Sequence, residues 1–151
     1  MRRTPAARDE QRSSDGGHRL RARVSQIHVV ERAGIGSVRD VIAGRIRIPE
    51  SDVVYASGLF DYPDPRAGGV LLKRMFASVK VGGSVLIPNL TPHNDEVGYM
   101  EAVMDWWMCY RTEADMRELA ALLHADPAQF RTTTYLGSDN RIAWLQIDRL
   151  G

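Results

Sequence analysis

The sequence contains a single cysteine and no long apolar run. Cys109, alone among 151 residues, excludes a disulfide framework and a multi-cysteine zinc site within one chain. No apolar stretch approaches the roughly 20 residues that span a bilayer, and no apolar segment follows the N-terminal arginines as it does in a secretory signal. We therefore expect a cytoplasmic protein with no membrane partner. Cys109 lies in an apolar, helix-like stretch, which predicts a small buried side chain rather than a nucleophile.

An excess of either charge is also missing. Lys and Arg total 20 and Asp and Glu total 19, so the formal net charge is +1 and gives no electrostatic basis for a nucleic-acid partner. The basic residues are unevenly distributed, because residues 1–23 hold seven arginines against three acidic residues. This composition predicts a disordered basic tail over residues 1–22, with an RNA- or membrane-binding arm as the alternative. The four histidines show no paired spacing for a metal site.

Apolar runs and amphipathic stretches alternate over residues 23–151, which predicts one α/β domain with a mostly parallel sheet. The predicted strands cover residues 24–30, 52–57 and 85–87, and the predicted helices cover 38–43, 66–79, 98–110 and 112–124. The apolar run at 52–57 is typical of a strand buried on both faces. A terminal hairpin over 132–136 and 142–147 adds an antiparallel element.

Local signals mark where several of these elements begin and end. Ser37 suits an N-cap, and Gly44 would end the short helix that it starts. Thr112, with an acidic residue three positions later at Asp115, resembles a capping box. Residues 88–97 are polar and hold two prolines, which predicts a loop.

The segment after the strand at 52–57 carries the clearest chemistry. In an open α/β sheet, ligands bind outside the carboxyl ends of the strands, and residues 57–62 occupy such a position. Gly58 would let a ligand approach the backbone, while Asp61 and Tyr62 can hydrogen-bond polar substrate groups. The alternative is an ordinary strand-to-helix loop in which Phe60 and Tyr62 serve packing.

Four segments together resemble a known family. DVVYASGLFDY at 52–62 precedes MFASVKVGGSVLI at 75–87, NLTP at 89–92 and GYMEAVMDWWMCYR at 98–111. From about Gly36 to Leu150 the chain resembles class I S-adenosylmethionine-dependent methyltransferases, and more narrowly a bacterial group that makes methyl esters of hydroxy fatty acids. The proline usual before the glycine pair is replaced by Val81. The resemblance implies an α/β fold with a partial Rossmann-like methyltransferase sheet and a C-terminal antiparallel hairpin.

The resemblance also implies functional residues and a cofactor, S-adenosylmethionine. The implied cofactor-binding residues are Ser37, Val38, Arg39, Asp40, Ser57, Gly58 and Leu59. The implied substrate-binding residues are Asp61, Tyr62, Asn89, Tyr99, Trp106, Tyr110 and Arg111. Arg111 either pairs with a substrate carboxylate or closes the end of the 98–110 helix, where its charge complements the dipole. No catalytic residue is assigned.

The family's cofactor motif is not evident upstream of Gly36. Gly16 and Gly17 lie in the polar tail, and the Gly34-x-Gly36 pair is too short a signal for the glycine-rich turn that follows an early strand. The sequence therefore predicts a truncated domain whose strand at 52–57 has an open edge, covered by a homodimer or a partner protein.

Three functional interpretations follow. The first is a methyltransferase-like protein acting on a carboxylate or hydroxyl of a small molecule or fatty acid. The second is a non-catalytic remnant that serves as an interaction module. The third is an unrelated α/β binding domain.

Overall fold

The computed structural model describes residues 36–61 and 64–151. The helices are α1 (Val38–Ile42), α2 (Pro65–Ala77), α3 (Val97–Ala102) and α4 (Glu113–Ala121), with a 3-10 turn at Pro127–Gln129, and the strands are β1 (Ser51–Tyr55), β2 (Val79–Leu90), β3 (Phe130–Leu136) and β4 (Ile142–Arg149). The predicted tail, the predicted strand at 24–30 and Tyr62 lie outside the described residues. Within the described part, no helix has the length and hydropathy needed to cross a bilayer.

The four strands form one mixed sheet in the order β1-β2-β4-β3. β1 and β2 are parallel, with Tyr55 opposite Leu86, and α2 connects them. β4 pairs antiparallel with both β2 and β3. The predicted α/β class and the terminal hairpin are therefore confirmed.

The helices begin where the sequence signals place them. Ser37 and Asp40 form a capping box on α1, and Thr112 forms one with Asp115 on α4. Asp64 caps α2 by accepting hydrogen bonds from the amides of Arg66 and Ala67. Each cap satisfies backbone N–H groups that have no partner inside the helix.

One face of the sheet forms the core together with α2 and α4. Buried apolar residues of β2 and β4 pack there, namely Val85, Ile87, Ala143, Leu145 and Ile147. These residues pack against Leu72, Met75 and Phe76 of α2, and against Met116, Leu119 and Ala120 of α4 and Leu123 just after it. Their spacing of three and four residues along each helix is the pattern by which the sequence predicts an inward face. Two buried glycines of α2 let the helices approach closely, since a Cβ on Gly69 would lie 3.2 Å from the Leu122 Cβ.

β2 is longer than the sequence predicts. The predicted loop at 88–97 is wrong at its start, because β2 continues through Pro88 to Leu90. Proline is tolerated since β1 pairs with β2 only as far as Leu86. Beyond that point β2 pairs with β4 alone, so one side of Pro88 needs no ladder partner.

The predicted helix at 98–110 is also wrong, because α3 ends at Ala102. The chain turns at Asp105, which has a φ of 50°, and a left-handed residue cannot continue a right-handed helix. Residues 105–111 follow without helical structure. Trp106 and Trp107 are therefore not on a helix, and Cys109 is exposed rather than buried.

β1 does not have two buried faces. Val54 points into the core, but Val53 and Tyr55 are 56% and 55% exposed, which corrects the expectation of a fully buried strand. The reason is alternation: successive side chains of a strand point to opposite faces of the sheet, so Val53 and Tyr55 lie on the face opposite to Val54 and the core. β1 also lies at one end of the four-stranded order. The open edge expected there is present in the described part of the chain.

Candidate functional site

Residues 105–111, here called the crossing segment, run over the carboxyl ends of β1 and β2. The Cys109 amide donates to the backbone carbonyl of Asp61 at 2.8 Å, and the Arg111 amide donates to the Leu90 carbonyl at 2.9 Å. Asn89 Nδ2 donates to the Cys109 carbonyl at 2.7 Å. The segment thus connects the loop after β1 to the end of β2, which is where ligands bind in open α/β sheets.

The Arg111 side chain links the crossing segment to the loop after β1 and to the end of β2. Its Nη1 donates to the carbonyl of Phe60 and to Oδ1 of Asn89, the latter at 2.6 Å. Asn89 is buried, so its amide serves both Arg111 and the crossing segment. The hypothesis that Arg111 closes the helix beginning near Gly98 is wrong, because that helix ends nine residues earlier at Ala102.

Asp61 is a buried carboxyl with spare hydrogen-bonding capacity. Its side chain is 7% exposed, and Oδ1 has no hydrogen-bond partner in the described part of the chain. Burial raises the pKa of Asp61, while the nearby charge of Arg111 opposes that rise. A buried acceptor without a partner costs free energy, so this oxygen is suited to receive a donor from a ligand.

Tyr110 provides a second buried polar group of this kind. Its hydroxyl is buried and makes no close, well-aligned hydrogen bond among residues 36–61 and 64–151, although the Glu101 carboxylate lies near enough to accept a weak one. Burial raises the pKa of Tyr110, and the charge of Glu101, the hydrogen bond to that carboxylate and the charge of Asp61 raise it further. The phenol therefore stays protonated and can donate, while Asp61 can accept. A ligand hydroxyl can satisfy both groups, because a hydroxyl both donates and accepts.

A cleft of about 350 Å³ lies beside the crossing segment. It is lined by Pro65, Cys109, Tyr110, Arg111, Asp115, Glu118, Leu119 and Leu122. Its size lies in the range of small-molecule sites. The lining holds two carboxylates, one guanidinium and several apolar side chains, which suits a partly apolar ligand with a few polar groups.

The predicted cofactor residues fall into two groups that no hydrogen bond joins in the described part of the chain. Ser37, Val38, Arg39 and Asp40 belong to the start of α1, where the Asp40 carboxylate is bound by Ser37 and by Arg45. These bonds lower the pKa of Asp40. Ser57, Gly58 and Leu59 follow β1 on the side of Asp61. A Cβ on Gly58 would lie 3.8 Å from the Asp61 Oδ2.

The predicted substrate residues are likewise divided. The structure brings together Asp61, Asn89, Tyr110 and Arg111, whereas Tyr99 and Trp106 are exposed. Sequence reasoning missed Cys109 and Phe60, which contribute backbone groups, and Glu101, whose charge acts on Tyr110. No residue-type signal could have found the first two, because any residue supplies a carbonyl.

No family model and no curated protein matches the sequence. Solved structures do match. Human N-acetylserotonin methyltransferase in complex with SAM has a TM-score of 0.54 and 14% identity, over 70% of this chain and 31% of that one. The pyocyanin biosynthetic protein PhzM gives 0.51 and 16%, over 73% and 33%.

The O-methyltransferase NcsB1 from neocarzinostatin biosynthesis is similar to the same degree. It was solved with S-adenosyl-L-homocysteine and 1,4-dihydroxy-2-naphthoic acid, and it gives a TM-score of 0.53 and 18% identity, over 76% of this chain and 33% of that one. These likenesses show that the chain has the fold of S-adenosylmethionine-dependent methyltransferases. The chain spans about one third of the length of these three proteins.

Proposed function

We propose that the chain belongs to an S-adenosylmethionine-dependent methyltransferase that methylates a hydroxyl of a small, partly apolar molecule. The observation that carries the proposal is the unpartnered, buried Asp61 oxygen beside the Tyr110 hydroxyl, at the carboxyl end of β1. The methyltransferase fold supports it, as does the small-molecule ligand of NcsB1.

The residues after β1 suit part of the cofactor. Gly58 has a φ of 68° and leaves the backbone open to a ligand. Ser57, Gly58 and Leu59 would therefore hold the cofactor near the acceptor. The α1 residues suit it less well, because the Asp40 carboxylate is already paired. When bound, S-adenosylmethionine supplies an electrophilic methyl group.

A hydroxyl acceptor fits this site better than a carboxylate. Asp61 would repel a second carboxylate, and Asp115 and Glu118 add negative charge to the cleft. Arg111, the residue expected to pair with a substrate carboxylate, directs its Nη1 inward to Asn89. In this proposal Asp61 accepts the proton of the substrate hydroxyl, and Tyr110 orients the same oxygen. A raised pKa makes the Asp61 carboxylate a better base than an ordinary one.

Calorimetric titration of the full chain with S-adenosylhomocysteine tests cofactor binding. We expect binding in the micromolar range, weakened about tenfold or more by Gly58→Val, since a side chain there blocks the approach of the cofactor to the backbone. Gly82→Val is the matched control, because Gly82 has a similar φ of 82° but lies near the start of β2, with nothing within 4 Å of an added Cβ. Equal losses in both variants would contradict the role of Gly58.

The interaction-module alternative is supported by a different observation. Val53 and Tyr55 are more than half exposed on a strand at the edge of the sheet, and such an edge invites pairing with another chain. If circular dichroism shows a folded chain that binds no S-adenosylhomocysteine, this alternative replaces the enzyme. The covering element would then be a second copy or a partner protein on β1.

A further inference from the structure

The segment after β2 exposes a group of large apolar side chains. Four of them form what we call the apolar cap: Tyr99, Val103, Met104 and Trp107, which are 59%, 66%, 53% and 64% exposed. They fall within nine consecutive residues. A contiguous apolar patch on a monomer commonly marks an interaction site, whereas single exposed apolar residues do not.

The local backbone places these side chains outward. α3 buries only Met100 and ends at Ala102, and the left-handed turn at Asp105 then reverses the chain. The Trp107 indole N–H donates to Asp105 Oδ1 at 2.9 Å. This bond restricts the ring before any partner binds, which lowers the entropic cost of binding. Trp, Tyr and Met are also the residue types enriched at protein interfaces.

The apolar cap belongs to an acidic stretch of the chain. The acidic residues Asp95, Glu96, Glu101 and Asp105 lie in the same stretch, and residues 95–110 contain no Lys or Arg. Arg141 is the cation paired with Asp95 and Glu96, at 3.7 Å from each. Both carboxylates remain largely exposed, so a partner meets a surface that is apolar at its centre and acidic around it.

We propose that the apolar cap docks a basic amphipathic segment of a partner protein. Charge complementarity selects this occupant, because basic side chains on the partner would meet the acidic surround while its apolar face covers the cap. A second copy that packed cap against cap would bring the same acidic residues and be repelled. An anionic membrane would be repelled for the same reason. Four side chains this exposed form an open surface, whereas a small-molecule site is concave.

Calorimetry with two synthetic peptides tests the charge selection. The probe is an amphipathic peptide of leucine and lysine, and its counterpart carries glutamate in place of lysine. We expect the full chain to bind the lysine peptide, with an affinity that falls as salt is raised, and to bind the glutamate peptide at least about tenfold more weakly. Equal binding of both peptides would overturn the proposal, as would binding of neither.

Variants locate the binding on the surface. Trp107→Ser should weaken lysine-peptide binding about tenfold, as expected for a central tryptophan. Val103→Ser should weaken it by a smaller factor, and Val81→Ser should leave it unchanged. Val81 is an exact match in type and exposure, at 66% for both valines, but it lies at the start of β2. Binding that survives Trp107→Ser, stronger binding to zwitterionic vesicles, or a dimer that Trp107→Ser dissociates in sedimentation would each overturn the proposal.

Discussion

The face of the sheet that α2 and α4 cover and the carboxyl end of the same strands differ in the polarity of their buried side chains. Under α2 and α4 the buried side chains are almost all apolar, and Leu72, Ile87 and Leu145 are fully buried. At the carboxyl end, Asp61 and Asn89 are buried polar residues, and Oδ1 of Asp61 has no hydrogen-bond partner in the described part of the chain. The first region buries apolar surface, whereas the second leaves a buried hydrogen-bond acceptor unpaired.

The difference separates what stabilises the fold from what can bind a ligand. Burying a large apolar side chain contributes about 1.5–3 kcal/mol, whereas leaving a buried polar group unpaired costs about 1–3 kcal/mol. Several fully buried core residues can therefore offset an unpaired group such as Oδ1 of Asp61. A ligand that donates a hydrogen bond to Asp61 would recover that cost as binding free energy.

The largest effect is expected from Leu145→Ala in the core. Leu145 is fully buried in β4, opposite Ile87 of β2, so its truncation leaves a cavity. We expect the free energy of unfolding to fall by about 2–5 kcal/mol, measured by urea denaturation. Val53→Ala on the exposed side of β1 should change it by less than about 0.5 kcal/mol. Similar losses in the two variants would mean that the core does not lie where the structure places it.

We expect Asn89→Leu to lower the free energy of unfolding by less, with its structural effect confined to the carboxyl ends of β1 and β2. The change removes the acceptor for Arg111 and the donor to the Cys109 carbonyl. We expect a loss of about 1–3 kcal/mol, with faster hydrogen exchange at residues 109–111.

Thr91→Val provides the control for this variant. Thr91 is also buried at the end of β2, but its hydroxyl donates to Asn140 outside the crossing segment. It should lower the overall stability and leave exchange at 109–111 unchanged. Faster exchange there in both variants would show that the crossing segment responds to any loss of stability and is not held by Asn89.

The sequence predicts well those structural features that depend on residues close together in the chain. The caps at Ser37 and Thr112, the inward face of α2 and the terminal hairpin all depend on residues a few positions apart, and each is confirmed. The helix at 98–110 failed because its apolar spacing persists past the point where the backbone turns. Only the φ of Asp105 reveals that turn.

For the candidate site, too, the sequence does not predict contacts between residues that are far apart in the chain. Family resemblance named Asp61, Asn89, Tyr110 and Arg111, and the structure brings these four together. The resemblance could not show that Arg111 points inward, because the partners of Arg111, Asn89 and Phe60, lie 22 and 51 residues away in the chain. Contacts at such separations depend on sheet topology, which residue patterns do not encode.

Asp148 provides the polar comparison for Asp61, because its carboxylate is fully engaged. Burial disfavours the charged form, but hydrogen bonds from Gln146, Ser84 and Arg131 outweigh it and lower the pKa of Asp148. Burial dominates at Asp61 and raises its pKa. The two carboxyls should therefore affect stability with opposite dependence on pH.

The smallest expected effect is this contrast in pH dependence. A lowered pKa in the folded state makes Asp148 stabilising above its unfolded pKa, and that contribution is lost as pH falls through the folded value. Asp148→Asn should thus cost about 1 kcal/mol near neutral pH and nothing in acid. A raised pKa makes ionised Asp61 destabilising above its folded value, so Asp61→Asn should match or exceed the parent near neutral pH and lose that advantage in acid. Urea denaturation of the parent and both variants across the acidic range measures the two differences. If Asp61→Asn lowers stability at neutral pH as Asp148→Asn does, the Asp61 carboxylate has a partner in the folded chain. The supposed difference between a paired and an unpaired buried carboxylate would then not exist.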